Sequence, residues 1–317
     1  MAVVFTSADR IDYQLQATGT FTIVIEDLGD DDSGSYTLGY MNTSVGPYAT
    51  ATDLDGGPIA STEIKTGQIS APVDFDVYTF NGTAGDRVLI GALATSGTLN
   101  TTYYLYPPAG GASENSTAGD RLDHQLLATG KYTILIEDQG LDNTGGYSLI
   151  YQNVSSGPLK SVTDTDGGPL ARGQLASGQI SPVTDIDVWE FNGAVGDTAV
   201  ITCATTSGLM NTNIAIYPPG GGVAVVYTSA DLVTYVLTQS GYYGLEVEDL
   251  GLDQTGSYQI QVKGSGGVVG VVPGSDAIPL NVLLAAPAPN PFGQSTTIGF
   301  ALPAPGGVQL RIFDVRG

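Results

Sequence analysis

The sequence predicts an all-β protein of tandem antiparallel β-sandwich domains, jelly-roll-like, in a linear array with incomplete β domains at both termini. Three observations predict this class. Glycine is frequent, at 44 of 317 residues, and with many threonines, serines and tyrosines it is typical of short strands joined by turns. Apolar and polar residues alternate with the period of two that strands require, and no helical period is seen. The third observation is a gapless repeat of 111 residues, in which Asp9, Asp120 and Asp231 are equivalent.

The repeat divides the chain into units and linkers. IEDLGDDDSGSY matches IEDQGLDNTGGY and VEDLGLDQTGSY one and two repeats later. A complete unit has about a hundred residues, a usual sandwich size, and we expect about seven strands in it. The predicted parts are a C-terminal half-unit at 1–42, a linker at 43–58, a complete unit at 59–154, a linker at 155–169, a second complete unit at 170–265, a linker at 266–285 and the start of another β unit at 286–317.

The segment KYTILIED indicates which face of a unit points inward. Tyr132, Ile134 and Ile136 share one face, and their equivalents are apolar in every copy. That face is therefore predicted to lie in the core. The opposite face carries Leu135 and Glu137, differs between copies and is expected to be mixed or wet.

The order of motifs resembles a known family. The pattern D-x-D-x-[YW]-x-F-x-G-x-x-G-D at 74–86 and 185–197 is followed by a Tyr-Pro-Pro loop, an E-D strand and a closing G-x-Y strand. Over residues 1–265 this order resembles the bacterial pre-peptidase C-terminal (PPC) domain, a jelly-roll-like sandwich appended to secreted proteases and surface proteins. The resemblance implies a protein exported by a bacterium, located outside the cell or at its surface.

The C-terminal residues show a second resemblance. After the linker come PNPF, T-x-I-x-F-x-L-P and G-x-V-x-L-x-I-x-D-x-x-G, which physically are two alternating strands around a PAPGG turn. This run resembles the start of a type IX secretion (Por) C-terminal sorting domain, a family whose full domain continues with further strands. Export through that system is implied by the resemblance alone.

Both ends thus have the pattern of half-domains. A half-sandwich would expose an apolar face beside an unpaired strand edge. Two explanations stay open: a neighbouring chain supplies the missing strands and builds a head-to-tail filament, or the sequence is a slice of a longer polypeptide. The predicted assembly residues are Phe21, Ile23, Ile25, Ile298, Phe300, Leu302, Val308, Leu310 and Ile312.

Charge restricts the partners that the chain can have. There are 32 acidic and 10 basic residues, a formal net charge of −22. Nucleic acid is not an expected partner, because phosphate binding needs basic patches. No long apolar segment predicts a membrane span, so membrane insertion is not expected.

The sequence predicts no catalytic residue. His124 is the only histidine and its equivalents are tyrosines, which indicates an ordinary strand position. Cys203 is the only cysteine and lies in an apolar strand, where it is expected to be buried. The recurring Glu-Asp pairs, such as Glu137-Asp138, point to opposite faces of a strand before a turn and indicate turn chemistry. We therefore expect the protein not to be an enzyme.

Calcium is the cofactor that the sequence favours. Each linker carries two aspartates and each following unit begins with a D-x-D pair, so several hard oxygen ligands come together, as Ca²⁺ prefers. Collagen-binding members of the resembled family bind calcium between a linker and such a pair. The alternative is that DxDGG is only a turn, which the strand aspartates cap. The candidate ligands are Asp53, Asp55, Asp74, Asp76, Asp164, Asp166, Asp185 and Asp187.

Two further kinds of site are suggested by residue type. Tyr103, Tyr104 and Tyr243 would suit stacking on a sugar ring, although tyrosine is also common in sandwich strands. N-x-[ST] sequons, which are glycan acceptors in exported proteins, begin at Asn42, Asn81, Asn100, Asn115 and Asn153.

These observations lead to two hypotheses about function. The first is a secreted, non-enzymatic structural repeat protein of an extracellular fibre or cell-surface layer, which associates with itself head-to-tail by strand complementation. The second is an accessory module of a larger secreted hydrolase that binds surface polysaccharide or protein.

Overall fold

The computed structural model describes residues 6–264 and two further short strands, at 283–284 and 300–301. Within these residues all regular structure is β, which confirms the predicted class. Two sandwich units follow one another, unit 1 over 57–153 and unit 2 over 168–263. Each unit begins with a two-residue strand formed by the Gly-Pro of the DxDGGP turn.

Unit 1 consists of nine strands rather than about seven. They are β1 (Gly57–Pro58), β2 (Glu63–Ile69), β3 (Asp76–Gly82), β4 (Arg87–Ala94), β5 (Thr101–Tyr106), β6 (Asn115–Thr117), β7 (Arg121–Gln125), β8 (Gly130–Asp138) and β9 (Gly145–Asn153).

Unit 2 repeats the same series. Its strands are β10 (Gly168–Pro169), β11 (Leu175–Ile180), β12 (Asp187–Gly193), β13 (Thr198–Gly208), β14 (Thr212–Tyr217), β15 (Val226–Thr228), β16 (Leu232–Val236), β17 (Gly241–Asp249) and β18 (Gly256–Lys263).

The sheets have jelly-roll connectivity, as predicted. In unit 1 one sheet has the order β1-β3-β8-β5-β6 and the other β2-β9-β4-β7, and unit 2 repeats both orders. From β2 to β9 the chain alternates between the sheets except at the β5–β6 hairpin, which is the pattern of an eight-stranded double Greek key. The pairs are antiparallel except that β1 runs parallel to β3 and β10 parallel to β12, so each linker turn is part of its sandwich.

The inward face is the one that the alternation predicts. Tyr132, Ile134 and Ile136 of β8 are fully buried between the sheets, and Cys203 is buried in the core of unit 2. The buried tyrosine hydroxyls have partners, as burial demands; Tyr103 donates to the Ile90 carbonyl at 3.1 Å.

Residues 6–56 form no strand in this structure, which differs from the expectation of strands in the half-unit. The pairing pattern of the complete units gives the reason. The segment at 19–27 corresponds to β8, which lies between β3 and β5, and both of those belong to the half of a unit that this segment lacks. The equivalents of β8 and β9 lie in different sheets and do not pair with each other.

The C-terminal predictions fall mostly outside the described residues. These include Ile298, Leu302, Val308, Leu310 and Ile312 and the sorting-domain motifs. The structure does pair Leu283–Leu284 with Phe300–Ala301 as an antiparallel two-stranded sheet, so a strand occurs within the predicted linker 266–285.

Candidate metal centre and inter-unit junctions

Three of the four aspartates in each predicted calcium set come together. In unit 1, carboxylate oxygens of Asp53, Asp74 and Asp76 all lie within 4.8 Å of one another. The linker contributes Asp53, the turn before β3 contributes Asp74, and β3 itself contributes Asp76. Unit 2 repeats the group with Asp164, Asp185 and Asp187.

The fourth aspartate of each set has a different position. Asp55 accepts a hydrogen bond from the Gln68 backbone N–H at 2.8 Å, while its own N–H donates to Asp53 Oδ1 at 3.2 Å. Asp166 makes the same two contacts, with Gln179 and Asp164. Asp55 and Asp166 thus fasten the linker to β2 and β11 and hold the neighbouring aspartate in place.

The strand aspartates are held on one oxygen and left open on the other. Tyr147 donates to Asp76 Oδ2 and Tyr258 donates to Asp187 Oδ2, both at 2.6 Å. Asp76 and Asp187 are fully buried, but among the described residues nothing hydrogen-bonds the Oδ1 of either one, or that of Asp185. Buried carboxylate oxygens of this kind normally have a partner.

Burial and mutual repulsion make these carboxyls hard to ionise in the absence of a cation. Burial, followed by the charges of its neighbours, raises the pKa of Asp76 to about 8 and that of Asp185 to about 7. The pKa of Asp187 is raised by burial and by Asp185. Oxygen-only donors, open buried oxygens and excess negative charge fit a hard divalent cation such as Ca²⁺. The three aspartates of each group would hold one cation, and the cation would supply the missing positive charge.

A second recurring arrangement joins consecutive parts of the chain. At the second junction, between units 1 and 2, Arg121 of β7 donates to Glu248 at 2.5 Å and to Glu246 at 2.6 Å. It also donates to Tyr217 Oη at 2.8 Å, and that hydroxyl donates to Asp123 at 3.1 Å. We call an arginine, glutamate, tyrosine and aspartate joined in this way a latch.

The first junction, between residues 6–56 and unit 1, has the same latch one repeat earlier. Arg10 donates to Glu137 at 2.5 Å and to Tyr106 Oη at 2.8 Å, and Tyr106 donates to Asp12 at 2.5 Å. Residues 6–56 therefore dock on unit 1 through residues that are equivalent, one repeat earlier, to those that join unit 1 to unit 2. One difference is that Leu135 occupies the place of Glu246.

Apolar side chains pack around both latches. At the second junction Leu89 and Ile150 of unit 1 form one buried cluster with Ile186, Val188 and Tyr217 of unit 2. At the first junction the equivalent cluster contains Val77, Tyr106 and Leu135, packed against Met41 and Tyr48.

The outer strand faces are thus covered by the neighbouring part of the chain, so the face is mixed in composition, as expected, but is not exposed to water. Leu135 is 5% and Glu137 3% exposed.

The latch charges are buried. Burial opposes the charge of Arg121, but Glu246 and Glu248 outweigh it and raise the pKa of the guanidinium. Burial raises the pKa of Glu246 despite Arg121.

One feature of the sequence could have indicated the latches. Arg10 and Arg121 are one repeat apart, and so are Glu137 and Glu248.

Other predicted site residues are placed as follows. Phe21, Ile23 and Ile25 are 50%, 57% and 45% exposed. Tyr103 and Tyr243 are fully buried and cannot stack on a ligand, whereas Tyr104 is half-buried at the first junction.

Of the sequon asparagines, Asn81 and Asn100 are exposed, and Asn42 and Asn115 are half-buried. Asn153 is buried and donates its amide to Asp86 at 2.9 Å, so it does not present a free glycan acceptor. His124 lies in β7 within 3.0 Å of Glu114, an ordinary strand position. No helix in the described part of the chain has the length and apolarity needed to cross a bilayer.

No protein-family model matches the chain, and a comparison with curated proteins gives no match. Among solved structures, the chain is similar to PliG, a periplasmic inhibitor of g-type lysozyme from Aeromonas hydrophila, at 18% identity and a TM-score of 0.26, over 31% of this chain and 96% of that one. It is also similar to the pre-peptidase C-terminal domain of a Bacillus anthracis collagenase, at 19% identity and a TM-score of 0.27, over 31% and 95%.

A longer alignment, to the CUB1-EGF-CUB2 domains of rat MASP-1, has 8% identity and a TM-score of 0.19, over 65% of this chain and 99% of that one. At such scores these likenesses carry no argument about function. The β-sandwich class rests on the strand pairing itself, and the PPC resemblance rests on the sequence motifs. None of the three comparisons bears on the sorting-domain resemblance.

Proposed function

We propose that the chain is a secreted, non-enzymatic structural repeat protein whose β-sandwich units stack in a linear array, as part of an extracellular fibre or cell-surface layer. The observation that carries this proposal is the repeated latch. Arg10–Glu137 and Arg121–Glu248 join consecutive parts of the chain through equivalent atoms. A contact repeated at a fixed sequence period is how repeat proteins build extended arrays.

The buried junctions favour a stiff array over domains on flexible tethers. Apolar clusters close both junctions, and the linker before unit 2 is fastened by the backbone of β11. Interfaces of this kind restrict the relative motion of neighbouring domains. Scattering from the dispersed chain in solution tests this: a fixed distance between units supports the stack, and a broad distribution of distances contradicts it.

Calcium has a structural role in the proposal. Held between the linker aspartate and the D-x-D pair, the cation would tie each unit to the segment before it. Titration calorimetry of the whole chain with CaCl₂ is expected to give two sites, one per aspartate group.

Single variants separate the two calcium sites. Asp76→Asn and Asp187→Asn are each expected to leave one site, while Asp231→Asn, an exposed control outside both groups, keeps two. Native protein that binds no Ca²⁺ would overturn this part of the proposal and leave the stack untouched.

Head-to-tail polymerisation by strand complementation is the finer part of the proposal. Support comes from the exposure of Phe21, Ile23 and Ile25, whose equivalents in the units are buried. Strands from another chain in the positions of β3 and β5 would pair the backbone of this segment, and strands in the positions of β2 and β4, in the facing sheet, would cover its apolar face. Of the C-terminal residues proposed as donors, all except Phe300 lie outside the described residues.

Electron microscopy of the native chain with two variants tests polymerisation. Ile23→Asp places a charge on the face that complementation must bury, whereas Val24→Asp, at a neighbouring position that is 74% exposed, places it on the opposite face. Filaments that disappear only with Ile23→Asp would support complementation. Dispersed native particles, or filaments that tolerate both variants, would contradict it.

A further inference from the structure

The first junction contains a pocket that has no assigned role. It has a volume of about 540 Å³ and lies between residues 8–10 of the N-terminal segment and strands β5, β6 and β8 of unit 1, a volume within the usual range of small-molecule sites. The side chains on its walls are mostly hydrogen-bonding groups, and the most informative are Arg10, Thr102, Tyr104, Ser116, Glu137 and Gln139.

Comparison with the second junction explains why the pocket is open. The positions of Thr102 and Ser116 are taken there by Asn213 and Tyr227, one repeat later. Both of those side chains donate to Glu248, each at 3.0 Å. At the first junction smaller hydroxyl side chains replace the phenol and the amide, and Tyr104 stands where the second junction has Ala215; these side chains line the open pocket beside the glutamate.

Two buried polar atoms of the pocket are without partners. Glu137 is 3% and Thr102 7% exposed, and within the described residues neither Glu137 Oε2 nor Thr102 Oγ1 makes a hydrogen bond. Buried polar atoms left in this state cost free energy that a ligand with hydroxyl groups can recover. A carboxylate oxygen only accepts, while a threonine hydroxyl does either, and a sugar hydroxyl can serve both.

Charge favours a neutral ligand. The carboxylate of Glu137 is matched by the guanidinium of Arg10 at 2.5 Å, and Asp138 Oδ2 is occupied by backbone N–H groups of the following turn. The chain as a whole carries a net charge of −22, which repels anions. The half-buried ring of Tyr104 adds an aromatic wall, already covered on one side by Arg10 at 3.9 Å.

We propose that this pocket binds a neutral oligosaccharide, with hydroxyl groups donating to Glu137 and hydrogen-bonding Thr102 and Ser116. The site goes beyond the structural role proposed above, and it gives the array a means of holding extracellular polysaccharide. It is formed jointly by the N-terminal segment and unit 1, so it requires the first junction to be closed.

The test is binding of neutral hexasaccharides to the whole chain. Cellohexaose, chitohexaose and maltohexaose are titrated into the native protein by calorimetry, with hexagalacturonate as the anionic counterpart and p-cresol as a phenol. We expect one site for at least one neutral sugar and affinity at least tenfold weaker for the anionic one. No binding of any neutral sugar at millimolar concentration, or tighter binding of p-cresol, would overturn the proposal.

Variants that copy residues of the second junction into the first locate the site. Thr102→Asn with Ser116→Tyr gives the first junction the residues that the second already accommodates, and should weaken sugar binding at least tenfold. The reverse pair, Asn213→Thr with Tyr227→Ser, leaves the pocket intact and should retain at least the native binding. Unchanged binding in the first pair, or its loss in the second, would refute the assignment.

A footprint on the native chain covers the case in which the first variant pair does not fold. Hydroxyl-radical labelling with and without the bound sugar is expected to protect Tyr104 and to leave Tyr227, which is 57% exposed, unchanged. Protection of Tyr227 alone, or of neither tyrosine, would place the sugar elsewhere and refute the proposal.

Discussion

Removal of Arg121 tests whether the latch stabilises the array. In Arg121→Met the carboxylates of Glu246 and Glu248, with side chains 0% and 2% exposed, lose the cation that matches them. Breaking a buried ion pair by removing one partner costs about 3–5 kcal/mol, since it leaves an uncompensated buried charge. We expect a loss of free energy of unfolding in that range for unit 2.

The first junction supplies a matched comparison. Arg10 has a side chain that is 22% exposed, against 14% for Arg121, and it faces one glutamate, because Leu135 stands where Glu246 would be. Arg10→Met should therefore cost less, about 2 kcal/mol, the usual size of a lost hydrogen bond to a charged group.

The deficit of Arg121→Met should depend on pH. Burial raises the pKa of Glu246 in the folded chain and Arg121 lowers it, so the variant has a pKa raised further. A carboxyl with a raised folded pKa contributes stability that is fully present below its unfolded pKa, about 4.5, and is lost as the pH rises. Because the pKa of Glu246 in the native chain is already about 8, native protein and variant lose stability alike up to that pH, and the deficit of the variant grows as the pH rises beyond it.

Calorimetric unfolding gives these free energies, and the fluorescence of Trp189, the only tryptophan and buried in unit 2, reports on that unit separately. Equal losses in the two variants, or a deficit of Arg121→Met that does not change with pH, would refute the reasoning.

Further predictions concern the cores. Gly67→Ala should cost about 1–3 kcal/mol in unit 1 by overpacking, because its Cβ would overlap the Tyr147 hydroxyl, whereas Gly34→Ala has open space and should be neutral; thermal unfolding compares them. Cys203, whose thiol pKa burial raises to about 12, should not react with a thiol reagent until the protein is unfolded. Tyr258→Phe should cost unit 2 about 1–2 kcal/mol and shift the tryptophan emission, because the hydroxyl links that indole to the metal centre.

The features that could be predicted from the sequence are those governed by local pattern. Alternation identifies the inward residues Tyr132 and Ile134, and the repeat identifies both units, because these signals depend on a single strand or on self-comparison. The D-x-D pairs and linker aspartates also converge, since the DxDGGP turn brings the linker alongside β3. Asp55 does not join this group, because its carboxylate accepts a hydrogen bond from the backbone of β2, a contact that residue type does not reveal.

The features that could not be predicted depend on contacts between units. The sequence pattern groups Glu137 with Asp138 as turn chemistry, and for Asp138 this agrees with the structure, where its carboxylate accepts from the N–H groups of Gly140 and Asp142. Glu137 points to the other face and meets an arginine from the preceding part of the chain. Strand alternation predicts that Glu137 and Asp138 point to opposite faces of β8, but it does not predict which part of the chain covers Glu137.

The outer face of unit 2 departs from the latch pattern, and this limits how an array can grow. The equivalents of Arg121 and Asp123 there are Leu232 and Thr234, and Leu232 is 59% exposed. A unit that docked on this face in the latch geometry would bury the equivalent of Glu137 with no guanidinium beside it, a strongly unfavourable arrangement. The latch can therefore join parts of the chain that precede unit 2 but cannot extend the array beyond it. A filament has to use another contact, which is why the polymerisation test changes Ile23 and leaves the arginines intact.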